Sequence, residues 1–412
     1  MSLSPCQQSA LKLLNENQKN FFLTGQAGTG KSFLIRNFLK NKDRKVFPIV
    51  ASTGAAAVLV GGRTFHSFFG LGIMEGGVEK TIARALANKR IAKRLRKIDG
   101  FVLDEVSMIS GPALRAAENI CSTARKSKLP WGGAQVIAVG DFAQLPPINR
   151  FSEQKEWAFL DETWNKSKFI SLNLKSIMRS QDQTFTKVLN LIREGKIDEE
   201  VRAYLNTKII VEHDPQKITN TTHLFPHRET VEKFNLRKLS EINKPLKEIT
   251  TLYTGEDKAL EQIKRNAPIP DVLQIKESAL VMIRQNDTHF EYVNGSLGTI
   301  TKITEETIKI KLKNGNEVEL EKAVFSLLDA EGEVIATANN FPITLAYATT
   351  IHKAQGATLD ELVCDLRKLW EAGQAYVALS RLRKGEGLKL IGWDEDSFHV
   401  DEQVLEFYRN LD

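Results

Sequence analysis

Gly25-Gln26-Ala27-Gly28-Thr29-Gly30-Lys31-Ser32 decides how the rest of the chain is read. The octapeptide satisfies G-x-x-x-x-G-K-[ST], in which backbone N–H groups and a helix N-terminus converge on phosphate. Its flanks agree: Phe21-Phe22-Leu23-Thr24 reads as a short buried strand, and residues 33–40 carry helical apolar spacing. A Gly-rich turn matching by chance would lack that strand before and helix after. Gly25, Ala27, Gly28, Thr29 and Gly30 form the cradle, Lys31 reaches the β- and γ-phosphates, and the Ser32 hydroxyl ligates Mg²⁺. The expected cofactors are ATP and Mg²⁺.

Upstream, Ser4-Pro5 opens a helix carrying Gln7, Leu11 and Leu14. The Gln7 amide both donates and accepts, so it can read an adenine edge; a solvated helix residue is the plainer alternative. Downstream, Val46–Ala51 is a second strand, followed by Ser52-Thr53-Gly54 and then Arg63-Thr64-Phe65-His66-Ser67-Phe68-Phe69. Thr53, Gly54, Thr64, Phe65 and His66 are candidates for holding phosphates and stacking on bases. Core packing is the competing role for Phe65, Phe68 and Phe69.

Phe101–Glu105 is a strand ending in two acids. Asp104 is placed to hold Mg²⁺ with Ser32, and Glu105 to deprotonate the attacking water. Ala134–Gly140 is another buried strand, leading to Asp141-Phe142-Ala143-Gln144, where Gln144 senses the γ-phosphate. Strands separated by helices predict a parallel α/β domain with the nucleotide at the strands' carboxyl ends.

A length of 412 residues implies two or three domains, and 42% apolar with 26% charged residues is ordinary for a globular chain. No run of 18 apolar residues is present, so no membrane span is expected, and no leader is expected before the first motif. Cys6, Cys121 and Cys364 are scattered without zinc spacing and suit a reducing, cytoplasmic setting. The net charge of +6 is uneven, with 17 Lys and Arg against 5 Asp and Glu in residues 1–100. That asymmetry points to a polyanion beside the N-terminal half. Residues 78–98 form a basic amphipathic stretch, in which Lys93, Arg94 and Lys97 are candidate DNA contacts or part of a solvated face.

Trp157–Lys168 reads as a linker into a second α/β half. From about 271 to 340, short alternating runs at Ala279–Arg284, Gly298–Ile303, Thr307–Leu312 and Glu317–Leu320 predict a small antiparallel barrel. Pro342–Tyr347 resumes the parallel-strand style, ahead of Thr349–Gly356, Gln374–Arg381 and a closing strand Leu388–Gly392.

Taken in order, GQAGTGKS, ASTGAAA with GGRTFHSF, LDEVSM, GDFAQLPP, the block ending at Arg179, TTIHKAQGATLD and YVALSRLR resemble superfamily 1B (RecD-like) DNA helicases. Within that class the chain is similar to the petite-integration-frequency (PIF) helicase family over about residues 3–392. The resemblance implies an α/β fold of two tandem RecA-like domains, 1–168 and 169–412. It also implies a small basic helical insertion at about 68–98 and an SH3-like insertion at about 271–340. It implies ATP-dependent 5′-to-3′ translocation on single-stranded DNA with unwinding of fork or tailed duplex, RNA–DNA hybrids and G-quadruplexes being further candidate substrates. The family's settings are replication, repair, recombination and telomere maintenance; a bacterial or phage-type, nucleoid-associated monomer is expected here.

The resemblance assigns Gln7 to adenine, and Arg179 and Arg381 to the γ-phosphate from the second domain. Gly356 joins the ATP-binding set, while Thr350, His352, Lys353 and Gln355 join the DNA contacts. Cys6, Ser180 and Trp131 stand where the family often has Glu, Gln and Phe. A small-molecule kinase would not need a second arginine-bearing domain, and a DNA clamp with an idle nucleotide site would not need Lys31, Asp104 and Glu105 intact. An RNA-directed motor is harder to exclude, since a 2′-hydroxyl contact leaves no mark in the sequence.

Overall fold

Phe21, Phe22 and Leu23 are all fully buried, which only a strand covered on both faces permits. In the computed structural model Phe21–Gly25 (β1) is an inner strand of a six-stranded sheet. The described residues are 3–411 other than 60–62, 73, 75, 148–154, 176–181, 211–220, 286, 288–290, 293 and 329–332. They form two units: Met1–Arg179 with Leu327–Ile335 and Glu402–Asp412, and Ser180–Ser326 with Ala336–Asp401.

In the first unit the other strands are Ile49–Ala51 (β2), Arg63–Thr64 (β3), Gly100–Asp104 (β4), Gln135–Val139 (β5) and Ile170–Leu174 (β6). Their order is β3-β2-β4-β5-β1-β6, and every pairing is parallel. Pro5–Glu16 (α1) and Lys31–Leu39 (α2) supply Ala10, Leu14, Leu34, Ile35 and Phe38 to a core shared with Phe21, Leu23, Val102, Ile137 and Val139. Alternation sends Phe22 and Phe101 to the opposite face, where Phe22 meets Phe142 and Trp164 while Phe101 meets Phe69 and Trp131.

The basic stretch is not one helix. Gly77–Ala87 and Lys89–Lys97 are separated by Asn88, extended at φ −83° and ψ 103°, whose side chain accepts the Arg90 N–H at 2.9 Å. Helix periodicity continues across a one-residue break, so the sequence pattern did not reveal it. For the same kind of reason the residue-169 boundary separates segments that fold together. β6 pairs with β1 from Phe21↔Ile170 to Gly25↔Leu174. The expected linker before it is part of the core, with Trp157 1% and Trp164 7% exposed. The C-terminal helix Glu402–Arg409 belongs to the same unit, its Phe407 ring 4.4 Å from Phe159 and 5.3 Å from Phe142.

The second unit holds a parallel sheet in the order Ala348–Thr350, Thr222–Phe225, Leu362–Leu366, Leu388–Trp393. Beside it in sequence, Glu317–Glu321, Thr307–Leu312, Leu297–Ile303, Leu280–Ile283 and Ile343–Leu345 form an antiparallel sheet. Ile300, Ile308, Ile310, Val318, Leu320 and Phe341 fill its core. The alternating runs were therefore legible, but Pro342–Tyr347 was not: Ile343–Leu345 pairs antiparallel with Leu280–Ile283, and the parallel strand starts at Ala348. Short apolar runs carry no mark of strand direction. Among the described residues no helix is long and apolar enough to cross a membrane.

Candidate functional site

The loop between β1 and α2 is shaped by positive backbone angles. At Gly25 φ is +144°, and a Cβ there would lie 2.5 Å from the Leu174 carbonyl oxygen. Gly30 caps α2 at φ 80° with no side-chain cap bond, leaving the first helical N–H groups for an anion. Lys31 Nζ donates to the carbonyls of Gly25 at 2.6 Å and Gln26 at 3.1 Å, and Thr29 Oγ1 donates to Gln26 at 2.9 Å. The lysine thus closes the loop on itself, and phosphate oxygens are stronger acceptors than the carbonyls it now holds. Ser32 is exposed in the first turn of α2.

β4, β5 and β1 are neighbours, so the segments leaving them share one sheet edge. That edge carries Asp104 at the end of β4 with Glu105 after it, Asp141–Gln144 after β5, and Gly25 at the end of β1 with the loop to Ser32 after it. Burial raises the Asp104 carboxyl above its ordinary pKa, while the Glu105 N–H, Lys31 and Arg36 draw it back down. Asp104 is half-buried at the strand end, and Ser32 Oγ with Asp104 would supply the one or two protein oxygens Mg²⁺ takes beside phosphate and water. Glu105 sits at φ 53° and ψ 52°, a left-handed conformation that costs a non-glycine residue on the order of 1 kcal/mol. No sequence signal marks that strain.

Gln7 is fully buried. Its Oε1 accepts the Ser4 N–H at 3.0 Å, completing a capping box, and its Nε2 donates to the Thr29 carbonyl at 3.0 Å. The amide expected to read adenine is here occupied at both ends and ties α1 to the phosphate loop. Gln144, 6% exposed, follows a turn centred on Asp141. Asp141 is fully buried, and its Oδ1 accepts the Ala143 N–H at 3.2 Å and the Tyr408 hydroxyl at 3.0 Å. The same hydroxyl accepts the Phe142 N–H at 2.8 Å and lies 3.2 Å from Thr24 Oγ1. Sequence reasoning missed Tyr408, which is 267 positions from Asp141 and in no motif.

The candidate nucleic-acid residues divide. Thr53 Oγ1 accepts the Ala56 N–H and Thr64 Oγ1 the Ser67 N–H, each at 3.2 Å, so both hydroxyls cap the short helices that follow. Gly54 opens the first of them. Phe65 is fully buried with its ring 5.0 Å from Phe69, which corrects its assignment to base stacking: the core reading holds. His66 is half-buried, and burial lowers its pKa, favouring the neutral imidazole. Arg94 donates to the carbonyls of Phe68 and, at 3.4 Å, Ser67, and lies 4.9 Å from the Phe68 ring centroid. Its guanidinium is bonded to carbonyls of the insertion itself. Arg84 and Arg96 likewise donate to the carbonyls of Leu71 and Ala124. Lys93 and Lys97 are exposed.

In the second unit Thr350 Oγ1 accepts the Lys353 N–H at 3.1 Å and starts the turn Ile351–Ala354, with Gln355 at its end. His352 and Lys353 lie at the surface, both drawn below their ordinary pKa by partial desolvation. Arg228 and Arg284 lower Lys353 further. Gly356, at φ +79°, has open space where a Cβ would be. Arg381 is 2% exposed and donates to Val377 O at 2.8 Å, Ala354 O at 3.4 Å and Ser380 Oγ at 2.7 Å, all within its own unit. Arg179 lies outside the described residues.

A PIF1-like helicase family model matches residues 2–203. The chain is 52% identical over 412 residues to the ATP-dependent DNA helicase Pif1 of Bdellovibrio bacteriovorus, covering all of this chain and 93% of that one. Pif1 from Bacteroides sp in complex with ADP-AlF4 superposes with a TM-score of 0.85 at 26% identity, covering 100% and 97% of the two chains. Bacteroides Pif1 in complex with ADP-AlF3 and single-stranded DNA gives 0.67 at 27% identity, again covering 100% and 97%. With a phosphate loop, paired acids and a glutamine segment on one sheet edge and full-length similarity to Pif1 helicases, this chain belongs to the PIF1-like helicase family.

Proposed function

We propose that this helicase hydrolyses ATP on the first unit and uses the cycle to move 5′ to 3′ along single-stranded DNA, unwinding duplex ahead of it. The observation that carries the reading is the meeting of the Gly25–Ser32 loop, Asp104–Glu105 and Asp141–Gln144 on one edge formed by adjacent strands. Lys31 leaves its loop carbonyls for the β- and γ-phosphates. Ser32 and Asp104 hold Mg²⁺, which supplies neutralisation of phosphate charge when bound. Glu105 takes the proton of the attacking water, and Gln144 reports whether the γ-phosphate is present.

Arg179 and Arg381 belong to this reading as the charges that stabilise the transferred phosphoryl group. Thr53, Thr64, His66, Thr350, His352, Lys353 and Gln355 form its DNA track. Closing and opening around ATP then alternates the grip on the strand. We assign its substrates as tailed or forked duplex, with RNA–DNA hybrids and G-quadruplexes as further candidates, and its working form as a monomer.

The test pairs unwinding with ATP turnover on matched 5′-tailed and 3′-tailed duplexes. Unwinding confined to the 5′-tailed substrate is expected. Equal or preferential unwinding of the 3′-tailed one overturns the polarity, and ATP turnover without strand separation overturns the motor.

A further inference from the structure

Three adjacent strands of the second unit's parallel sheet, Ala348–Thr350, Thr222–Phe225 and Leu362–Leu366, end on the same edge. Each is followed within a few residues by an unusual side chain at the surface. After the first come His352 and Lys353, after the second His227 and Arg228, and after the third Trp370. His227 and Trp370 lie with ring centroids 5.0 Å apart and planes 16° from parallel. Trp370 is 54% exposed. Of the chain's other tryptophans, Trp131, Trp157 and Trp164 are at most 7% exposed and Trp393 is half-buried.

Leaving an indole in water forgoes burial worth about 2 kcal/mol or more, so an exposed one held flat by a second ring suits a missing partner. Cations are close by: desolvation first, and then the charges of Arg228 and Arg284, lower the Lys353 pKa, with Glu232 opposing. Arg228 pairs with Glu232 at 2.7 Å, and Glu371 acts on His352. A flat aromatic face beside lysine and arginine is how sequence-tolerant sites take single-stranded nucleic acid, stacking on bases while cations follow the phosphates.

We propose that His227 and Trp370 form a base-stacking platform for single-stranded DNA on the second unit. His227 backs the indole, the outer face of Trp370 receives a base, and Arg228 and Lys353 neutralise the flanking phosphates. None of the recognised motifs contains His227 or Trp370. The inference rests on the proposal that the Thr350–Gln355 segment faces DNA, and its test separates the two.

The full chain is titrated with an oligothymidylate and with an abasic strand of the same length, which keeps the phosphates and removes the bases. Trp370→Ala should weaken oligothymidylate binding roughly fivefold or more, the lower range for one stacked base, and leave abasic binding at the wild-type value. Trp370→Phe, which keeps a ring, should recover most of the loss, and His227→Ala should fall between. Lys353→Gln should weaken both strands alike. Tryptophan emission adds a second readout: oligothymidylate should quench a component that Trp370→Phe lacks, and the abasic strand should not. If Trp370→Ala binds oligothymidylate as wild type does, or weakens both strands equally, the platform is overturned. If Lys353→Gln changes neither strand, the DNA-facing reading of Thr350–Gln355 fails instead.

Discussion

The Tyr408 hydroxyl donates to Asp141 Oδ1 at 3.0 Å, so the C-terminal helix Glu402–Arg409 is bonded to the turn that carries Gln144. That hydroxyl also takes the Phe142 N–H at 2.8 Å, and Phe407 beside it packs on Phe142. A helix far from every nucleotide motif in sequence therefore sets the geometry of one of them.

Tyr408→Phe keeps the ring and removes the bond, leaving a buried carboxylate short of a donor. Stability should fall by about 1–3 kcal/mol, measured by urea unfolding. The positioning role is read separately: KM for ATP should rise several-fold with single-stranded DNA affinity unchanged in the absence of nucleotide. Wild-type kinetics in a destabilised protein would reduce Tyr408 to a structural contact.

Glu105→Gln should bind ATP and DNA normally and hydrolyse ATP about a hundredfold more slowly, the scale of a lost general base. Glu105→Gly should be equally slow yet no less stable, because glycine adopts the φ 53° conformation without the steric cost. Turnover measured beside thermal melting checks both. Retained activity in either variant moves the base elsewhere.

Arg381→Ala should show two effects together. Removing the guanidinium strands the carbonyls of Val377 and Ala354 and the Ser380 hydroxyl it now serves, so the melting temperature should fall. DNA-stimulated hydrolysis per folded molecule should fall by roughly a thousandfold, the low end for a lost arginine finger. Arg381→Lys keeps charge without the planar fork and should not restore the rate. A stability loss with unchanged turnover would confine Arg381 to its buried contacts.

Lys93 and Lys97 should separate from Arg94. If both lysines touch phosphate, replacing them with Gln should flatten the salt dependence of single-strand binding by about 1.4 units, from a slope of about −0.7 per contact. Arg94→Gln should leave the slope alone and lower the melting temperature, since its guanidinium holds Phe68 and Ser67. A salt titration on two unrelated oligonucleotide sequences decides between a DNA path and a solvated face.

That these segments share one sheet edge is legible in the sequence because the signals are local. Lys31, Asp104 and Gln144 each sit one or a few residues past an apolar run, and a parallel sheet sends all such strand ends to one side. The alternating runs between 280 and 320 were legible for the same reason, since side-chain alternation is a property of each strand alone. The arginines were not: a guanidinium in sequence does not say whether it will meet phosphate or a backbone carbonyl. Arg94 and Arg381 both found carbonyls in this structure.

What a single chain pattern carries, then, is the phosphate-loop sequence, the acids at a strand end and the family order of the motifs, because each is encoded within a few consecutive residues. Which sheet Ile170–Leu174 joins, whether Phe65 faces a base or the core, how Gln7 spends its amide, and that Tyr408 braces Asp141 all depend on partners distant in sequence. Burial and hydrogen bonding at those positions are set by packing of the whole unit, and packing leaves no local signature in the residues it brings together.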